Sequence, residues 1–141
     1  MNKRNELVIP LIKNIKTKLE CRSDVFGILL VGSYARKAEK NNSDVDVVII
    51  TSDEKYYYET DEWISELGEY LQTDKEKWWI VSTIKVHFSN IEVEFNFAGL
   101  EWLKTTKEKS TNWLLSDGYV VLYERNSIFE HIKREFTENS L

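Results

Sequence analysis

The sequence predicts an α/β or α+β fold, a mixed β-sheet flanked by helices, in a single domain spanning residues 1–141. Three observations carry this. Two short apolar runs, at 26–31 and 44–50, are the right length for buried strands and too short for buried helices. A third run, 91–98, alternates apolar and polar residues as a half-buried strand does. Between and around these runs lie segments with helical spacing. No repeat, low-complexity tract or Pro/Gly/Ser-rich linker divides the chain, and its 141 residues suit one core.

Taken in order, residues 3–20 place Leu7, Leu11, Ile15 and Leu19 at intervals of four, the stripe of an amphipathic helix interrupted by Pro10. The strand at 26–31 ends at Gly32-Ser33, and residues 34–40 read as one or two helical turns. Asn41-Asn42-Ser43 is a loop by composition. The strand at 44–50 is apolar on both faces after Asp46, which makes it central to the sheet. Ser52 is an expected cap for a helix with its body near 61–70. Residues 79–88, rich in β-branched and aromatic side chains, read as a third strand. Ser89-Asn90 turns this strand into a hairpin with 91–98, where Ile91, Val93, Phe95 and Phe97 share one side and Glu92, Glu94 and Asn96 the other. A helix is expected next, then a turn at Asp117-Gly118 into a short strand at 119–123. Ser127 is the expected cap of a final helix ending near Phe136.

Composition narrows the function classes. The formal net charge is −5 and the pI about 5.2, which argues against broad binding to a nucleic-acid backbone, a task that needs a basic face. It leaves room for a single nucleotide whose charge a bound metal offsets, and for a cationic acceptor. No apolar run approaches the ~20 residues that span a bilayer, the N-terminal segment lacks the apolar core of a secretory signal, and the single Cys21 suits a reducing compartment. A cytoplasmic protein with no membrane partner is the expectation.

The chemistry centres on Gly32-Ser33 and Asp44-Val45-Asp46, separated by the ten residues from 34 to 43. A glycine at a strand end lets backbone approach a ligand closely. A following helix offers its N-terminal end to an anion, with the Ser33 hydroxyl as a further donor. This is a phosphate cradle, though not a P-loop, because GxxxxGK[ST] is absent. Two acids two apart on a strand face the same side. Their repulsion favours a hard, oxygen-seeking cation such as Mg²⁺. Glu94, on the polar face of a later strand, completes a three-carboxylate set if that strand lies beside the Asp strand. Two metals could then clamp an α-phosphate and its leaving group.

The segment VGSYARKAEKNNSDVDVVII resembles the signature of the DNA polymerase beta-like nucleotidyltransferase superfamily, and IEVEFNFA resembles its third-carboxylate strand. The similarity is greatest to the small bacterial branch, the minimal nucleotidyltransferases and aminoglycoside adenylyltransferase-like domains. The motif segments cover roughly a fifth of the chain. The resemblance implies that Gly32 and Ser33 bind the triphosphate and that Asp44, Asp46 and Glu94 hold metal and are catalytic, Glu94 serving as general base; Arg36 and Lys37, close to that triphosphate, are candidate cofactor-binding cations that suit a solvated helix face equally. It implies two Mg²⁺ ions and an NTP substrate, with ATP favoured. Many relatives carry glycine where Lys37 stands, and Glu92 is the alternative to Glu94 as third carboxylate. The acceptor is a small molecule such as an aminoglycoside-like compound, or a helical toxin modified by an antitoxin-type enzyme. A homodimer or toxin partner could supply the acceptor surface that larger relatives build from an extra helical domain. A catalytically silent nucleotide-binding module is the rival from outside the enzymes.

Other residues read more plainly. Lys40 and Lys85 could reach a phosphate but suit a solvated face. His87 and His131 lack metal-ligand spacing, and Cys21 has no visible base partner. The five tryptophans are mainly packing groups, with one available to stack on a base or a flat acceptor. Tyr56-Tyr57-Tyr58 suits packing or a lid, and Asp117 a turn.

Overall fold

The computed structural model describes residues 3–39 and 44–141. Helix α1 (Lys3–Glu20) leads into strand β1 (Val25–Val31), followed by the single turn α2 (Gly32–Ala35) and strand β2 (Val45–Thr51). Two short helices, α3 (Glu54–Glu59) and α4 (Glu62–Ser65), precede β3 (Tyr70–Trp78), β4 (Val81–Phe88) and β5 (Glu92–Ala98). A 3₁₀ turn (Leu100–Lys104), α5 (Lys109–Ser116), β6 (Tyr119–Glu124) and α6 (Glu130–Glu135) complete the order. The strands form one mixed sheet in the order β3-β4-β5-β2-β1-β6. The β2/β5 pair is parallel and the other neighbours are antiparallel.

Both faces of the sheet are covered, so its centre is apolar throughout, as expected for β1 and β2. On one face, Val47, Ile49, Val93, Phe95 and Phe97 pack against α1, α3 and α4, with Tyr57 and Trp63 fully interred. The rings of Tyr57 and Phe97 stack at 4.4 Å, and Trp63 meets Phe95 edge-on at 4.9 Å. On the other face, Leu29, Val31, Val48, Ile50 and Ala98 pack beneath Trp102, Leu115, Phe129 and Ile132. Burying side chains of this size supplies about 1.5–3 kcal/mol each against the entropy of ordering the chain.

Several expectations are corrected. The buried stripe of α1 is Val8, Ile12, Ile15 and Leu19, one residue on from the expected Leu7 and Leu11. Leu7 is exposed, because 3.6 residues per turn drifts away from a strict interval of four. Asp53, not Ser52, caps α3, its carboxylate accepting the Tyr56 N–H. The helix expected over 61–70 stops at Ser65, and Tyr70 already begins β3. That strand was not expected at all. It is a polar edge strand exposed along most of its length, so no alternation marks it. Val81 rather than Trp79 opens β4, since Trp79 lies in the turn. The Ser127 side chain does not cap α6. Glu124 instead accepts the Phe129 N–H at 3.1 Å. The Asn41-Asn42-Ser43 loop and Lys40 lie outside the described residues. No helix among the described residues is long and apolar enough to cross a membrane.

Candidate active site

Strand pairing brings the expected residues to one place. Because β1 runs antiparallel to β2, the end of β1 lies beside the start of β2, with Val31 opposite Asp46. Because β5 runs parallel to β2, its start lies there too, with Glu94 opposite Asp46. Antiparallel β4 then sets Lys85 opposite Glu94. Asp46, Glu94 and Lys85 therefore form one row across three strands, and Asp44, Glu92 and His87 form the next.

Gly32 turns the chain out of β1 with φ at +75°, a left-handed conformation that side chains resist. A Cβ there would sit 2.6 Å from Asp46 Oδ2, so glycine is required twice over, by backbone and by space. The following helix is a single turn, α2, shorter than expected, so little macrodipole stands behind Ser33. What remains is a tight turn in which the Ser33 carbonyl accepts the Ala38 N–H at 2.9 Å. Lys37 takes a φ of +57° in this turn. That is a conformation glycine adopts more readily than lysine.

Asp46 and Glu94 border a cleft of about 600 Å³, together with Gly32, Ser33, Arg36, Thr83, Asn96 and Asp117. Burial foremost, then the charge of Glu94 and a carboxyl–carboxyl hydrogen bond to it, then Asp44, push Asp46 up to about 7 against the opposing pull of Lys85. Asp44 is also raised, by burial and by Glu92, opposed by Lys85. It sits apart from the cleft, 3.8 Å from Lys85 Nζ. Glu92 is turned toward His87 Nδ1 at 2.8 Å and away from the cleft lining. Among the described residues no three His, Cys, Asp or Glu side chains already converge on one metal position. The donor set nevertheless fits a hard cation. It is all oxygen, and it carries a surplus of negative charge that a divalent ion relieves. Mg²⁺ commonly takes only one or two carboxylates plus substrate phosphates. Asp44 lies one row away, beside Glu92 and in a long, partly exposed ion pair with Lys85 that costs little to break.

The expected cations divide. Arg36 borders the cleft but is bound to Asp117, Nη1 to Oδ2 at 2.5 Å. Lys37 is exposed and does not line the cleft. Lys85 shares the carboxylate face, while His87 bridges Asp74 at 2.7 Å and Glu92 at 2.8 Å. Sequence reasoning missed the role of Asn96. Its amide donates to the Val47 carbonyl at 3.1 Å and its oxygen accepts from Thr83 at 2.8 Å, fixing the floor of the cleft across β2, β5 and β4. The polar alternation of β5 placed it on the correct face but could not single it out. Glu76 was missed with its strand.

The described fold is similar to that of the Cid1 poly(U) polymerase, with a TM-score of 0.52 at 17% identity over 69% of this chain and 31% of that one. An aminoglycoside 6-adenyltransferase from Bacillus subtilis gives a TM-score of 0.48 at 11% identity, covering 72% of this chain and 36% of that one. A nucleotidyltransferase-like protein from Exiguobacterium sibiricum gives 0.49 at 15% identity, covering 89% and 37%. The chain thus spans about a third of the length of these solved chains. No curated protein matches it. The model of the nucleotidyltransferase domain matches residues 12–108, more than two thirds of the sequence and every cleft residue from Gly32 to Trp102, and the chain belongs to that family.

Proposed function

We propose that the chain transfers a nucleoside monophosphate, with AMP from ATP favoured, to a hydroxyl of a small-molecule acceptor such as an aminoglycoside-like compound, releasing pyrophosphate. The observation that carries this reading is the Asp46–Glu94 carboxyl pair set against the glycine turn of Gly32. It offers one base and one anionic donor set within reach of a phosphate seated on Ser33. The sequence resemblance to aminoglycoside adenylyltransferase-like domains supports ATP as donor.

Asp46 and Glu94, joined by Asp44, would hold Mg²⁺, which supplies charge neutralisation at the triphosphate when bound. Gly32 lets the phosphates approach the backbone, and the Ser33 hydroxyl donates to a phosphate oxygen. Glu94 accepts the proton of the acceptor hydroxyl as its oxygen attacks the α-phosphorus. The new O–P bond forms as the bond to pyrophosphate breaks, with inversion in line. Arg36 exchanges Asp117 for the charge of the phosphates. Asn96 and Thr83 keep the β5 register that holds Glu94 beside Asp46.

The test uses α-³²P-labelled nucleoside triphosphates, Mg²⁺ and candidate acceptors, with products separated by size. Asp46→Asn and Glu94→Gln are expected to lower transfer at least ~100-fold, as loss of a group acting in the transition state does. Glu92→Gln should keep more than about a third of it. Full activity in Asp46→Asn would refute the assignment. Label on a protein band, rather than on a small molecule, would reassign the acceptor to a protein.

A further inference from the structure

Beside the carboxylate cleft runs a second groove of about 620 Å³, walled by Trp78, Trp79 and Trp113. Trp78, Trp79, Ser110 and Trp113 border both, so the two are continuous. The three indoles are 55%, 50% and 67% exposed, an unusual surplus of aromatic surface beside a reaction site. Two come from the tip of the β3–β4 hairpin, where Trp78 pairs with Val81 across a two-residue turn. The two rings meet at 5.9 Å and 70°, which holds both upright. Trp79 opens that turn with φ at +55°, a position that normally takes glycine or asparagine. A bulky side chain kept in a conformation that disfavours it, on an exposed tip, points to a task for the side chain rather than for the turn.

The lining identifies the occupant by its chemistry. Indole faces cover the flat C–H side of a ring. Ser110 in the groove and Glu76 in the adjoining cleft offer polar groups toward the ring's edge, where hydroxyls and amines sit. Glu76 and Glu108 have no ion-pair partner among the described residues, and Asp46 and Glu94 lie across the cleft. Among the described residues lining the groove Lys109 is the one cation, and Arg36, which borders the adjoining cleft, is paired with Asp117. The field therefore favours a cation over the uncharged nucleobase of an anionic triphosphate. We infer that the groove of Trp78, Trp79 and Trp113 is the acceptor site, taking an amine-bearing, flat-faced carbohydrate ring and presenting its hydroxyl to Glu94. The inference rests on the cleft being the transfer site. It assigns to this domain's own hairpin and to α5 a role that otherwise calls for a partner or an added domain.

Binding, not turnover, tests it. Intrinsic tryptophan fluorescence of the whole chain is titrated with kanamycin and with neomycin as amine-bearing carbohydrate probes, and MgATP affinity is measured separately by displacement of a fluorescent ATP analogue. At least one probe should quench saturably. Trp79→Gly and Trp113→Ala should each weaken that probe about 10-fold, as loss of a stacking or cation–π partner does. Glu76→Gln should weaken it about 3-fold, and MgATP affinity should stay within about two-fold in all three variants. Trp79→Gly relaxes the turn, so it should melt no lower than wild type, which separates loss of the indole from loss of fold. No saturable quench by either probe, or quench unchanged in both Trp variants, overturns the proposal. So does a parallel loss of MgATP affinity, which would give the groove to the nucleobase, or burial of the indoles in a self-associated chain at assay concentration. A chain that binds a probe through these indoles yet never binds MgATP would refute the transfer reading and leave this site standing.

Discussion

Replacing Asp46 by asparagine should make the metal-free protein more stable while abolishing its chemistry. Burial, and then Glu94, push the folded carboxyl up to about 7 from an ordinary 3.8. Folding must therefore hold Asp46 protonated or accept a disfavoured charge. The native state binds more protons than the unfolded one between these two values, so stability falls as pH rises from about 4 to about 7 and stays low above that. Three pKa units are worth about 4 kcal/mol, and the partial exposure of the site reduces this to a working figure of about 2 kcal/mol. Asn is isosteric and cannot ionise, so Asp46→Asn should gain about 2 kcal/mol at pH 8. At pH 5 only about a third of that gain remains, since the unfolded carboxyl ionises first. Urea denaturation in EDTA at both pH values measures it, and thermal melts should shift up by about 8 °C at pH 8. Adding Mg²⁺ should stabilise wild type and leave the variant nearly unmoved. A variant less stable than wild type at pH 8, or a gain that does not grow with pH, would refute the electrostatic account of this pair.

Other perturbations separate binding from folding. Gly32→Ala forces a side chain into φ +75° and against Asp46 Oδ2, and should cost about 1–2 kcal/mol in a melt and lower transfer more than ~10-fold. Asp117→Asn loosens Arg36 from its 2.5 Å partner and should tighten MgATP about 3-fold in a displacement titration with little change in melting. Weaker binding would mean that Asp117 aims Arg36 at the ligand. Tyr57→Phe removes a buried hydroxyl that donates to Asp24 at 2.6 Å and accepts from Arg22 at 2.8 Å. It should cost about 1–2 kcal/mol in denaturant and leave nucleotide affinity unchanged.

Sequence patterning was legible where burial imposes a period. The strands β1, β2 and β5 are apolar because both faces, or one whole face, are covered, and their boundaries fall within a residue or two of expectation. The meeting of Gly32, Asp46 and Glu94 at one end of the sheet was legible for a related reason: a glycine ends one apolar run, an acid opens another, and Glu94 falls on the polar side of an alternating strand. The edge strand β3 was not legible, because nothing packs on most of it and its polar residues carry no period. The site residues that depend on it, Glu76 and the hairpin position of Trp78 and Trp79, were lost with it. Asn96 was hidden differently, since its role lies in two hydrogen bonds to other strands, which no local pattern encodes. The separation of Asp44 from Asp46 was equally hidden. Alternation puts both on one face, and only the neighbours Glu92 and Lys85 hold Asp44 apart.

The pairing sense of β5 is what sets two acids from distant parts of the chain side by side, and it makes a sharper prediction than either single variant. Parallel neighbours hold Asp46 and Glu94 at the strand spacing of about 5 Å. Burial is the larger cause of the ~2 kcal/mol at Asp46, which leaves about 1 kcal/mol for its repulsion with Glu94. The repulsion is mutual, so removing either charge relieves nearly all of it. Asp46→Asn and Glu94→Gln should each stabilise the metal-free fold at pH 8, and the double variant should gain little beyond the better single one. The cycle then shows a coupling of about 1 kcal/mol between directly adjacent groups. Activity should follow the same rule, the double variant being no slower than the worse single one, because both groups serve one step. Additive stabilities would mean that the acids do not face one another across β2 and β5. A one-residue slip of β5 would give that result, since it turns Glu94 to the helix-covered face and sets Val93 or Phe95 in its place.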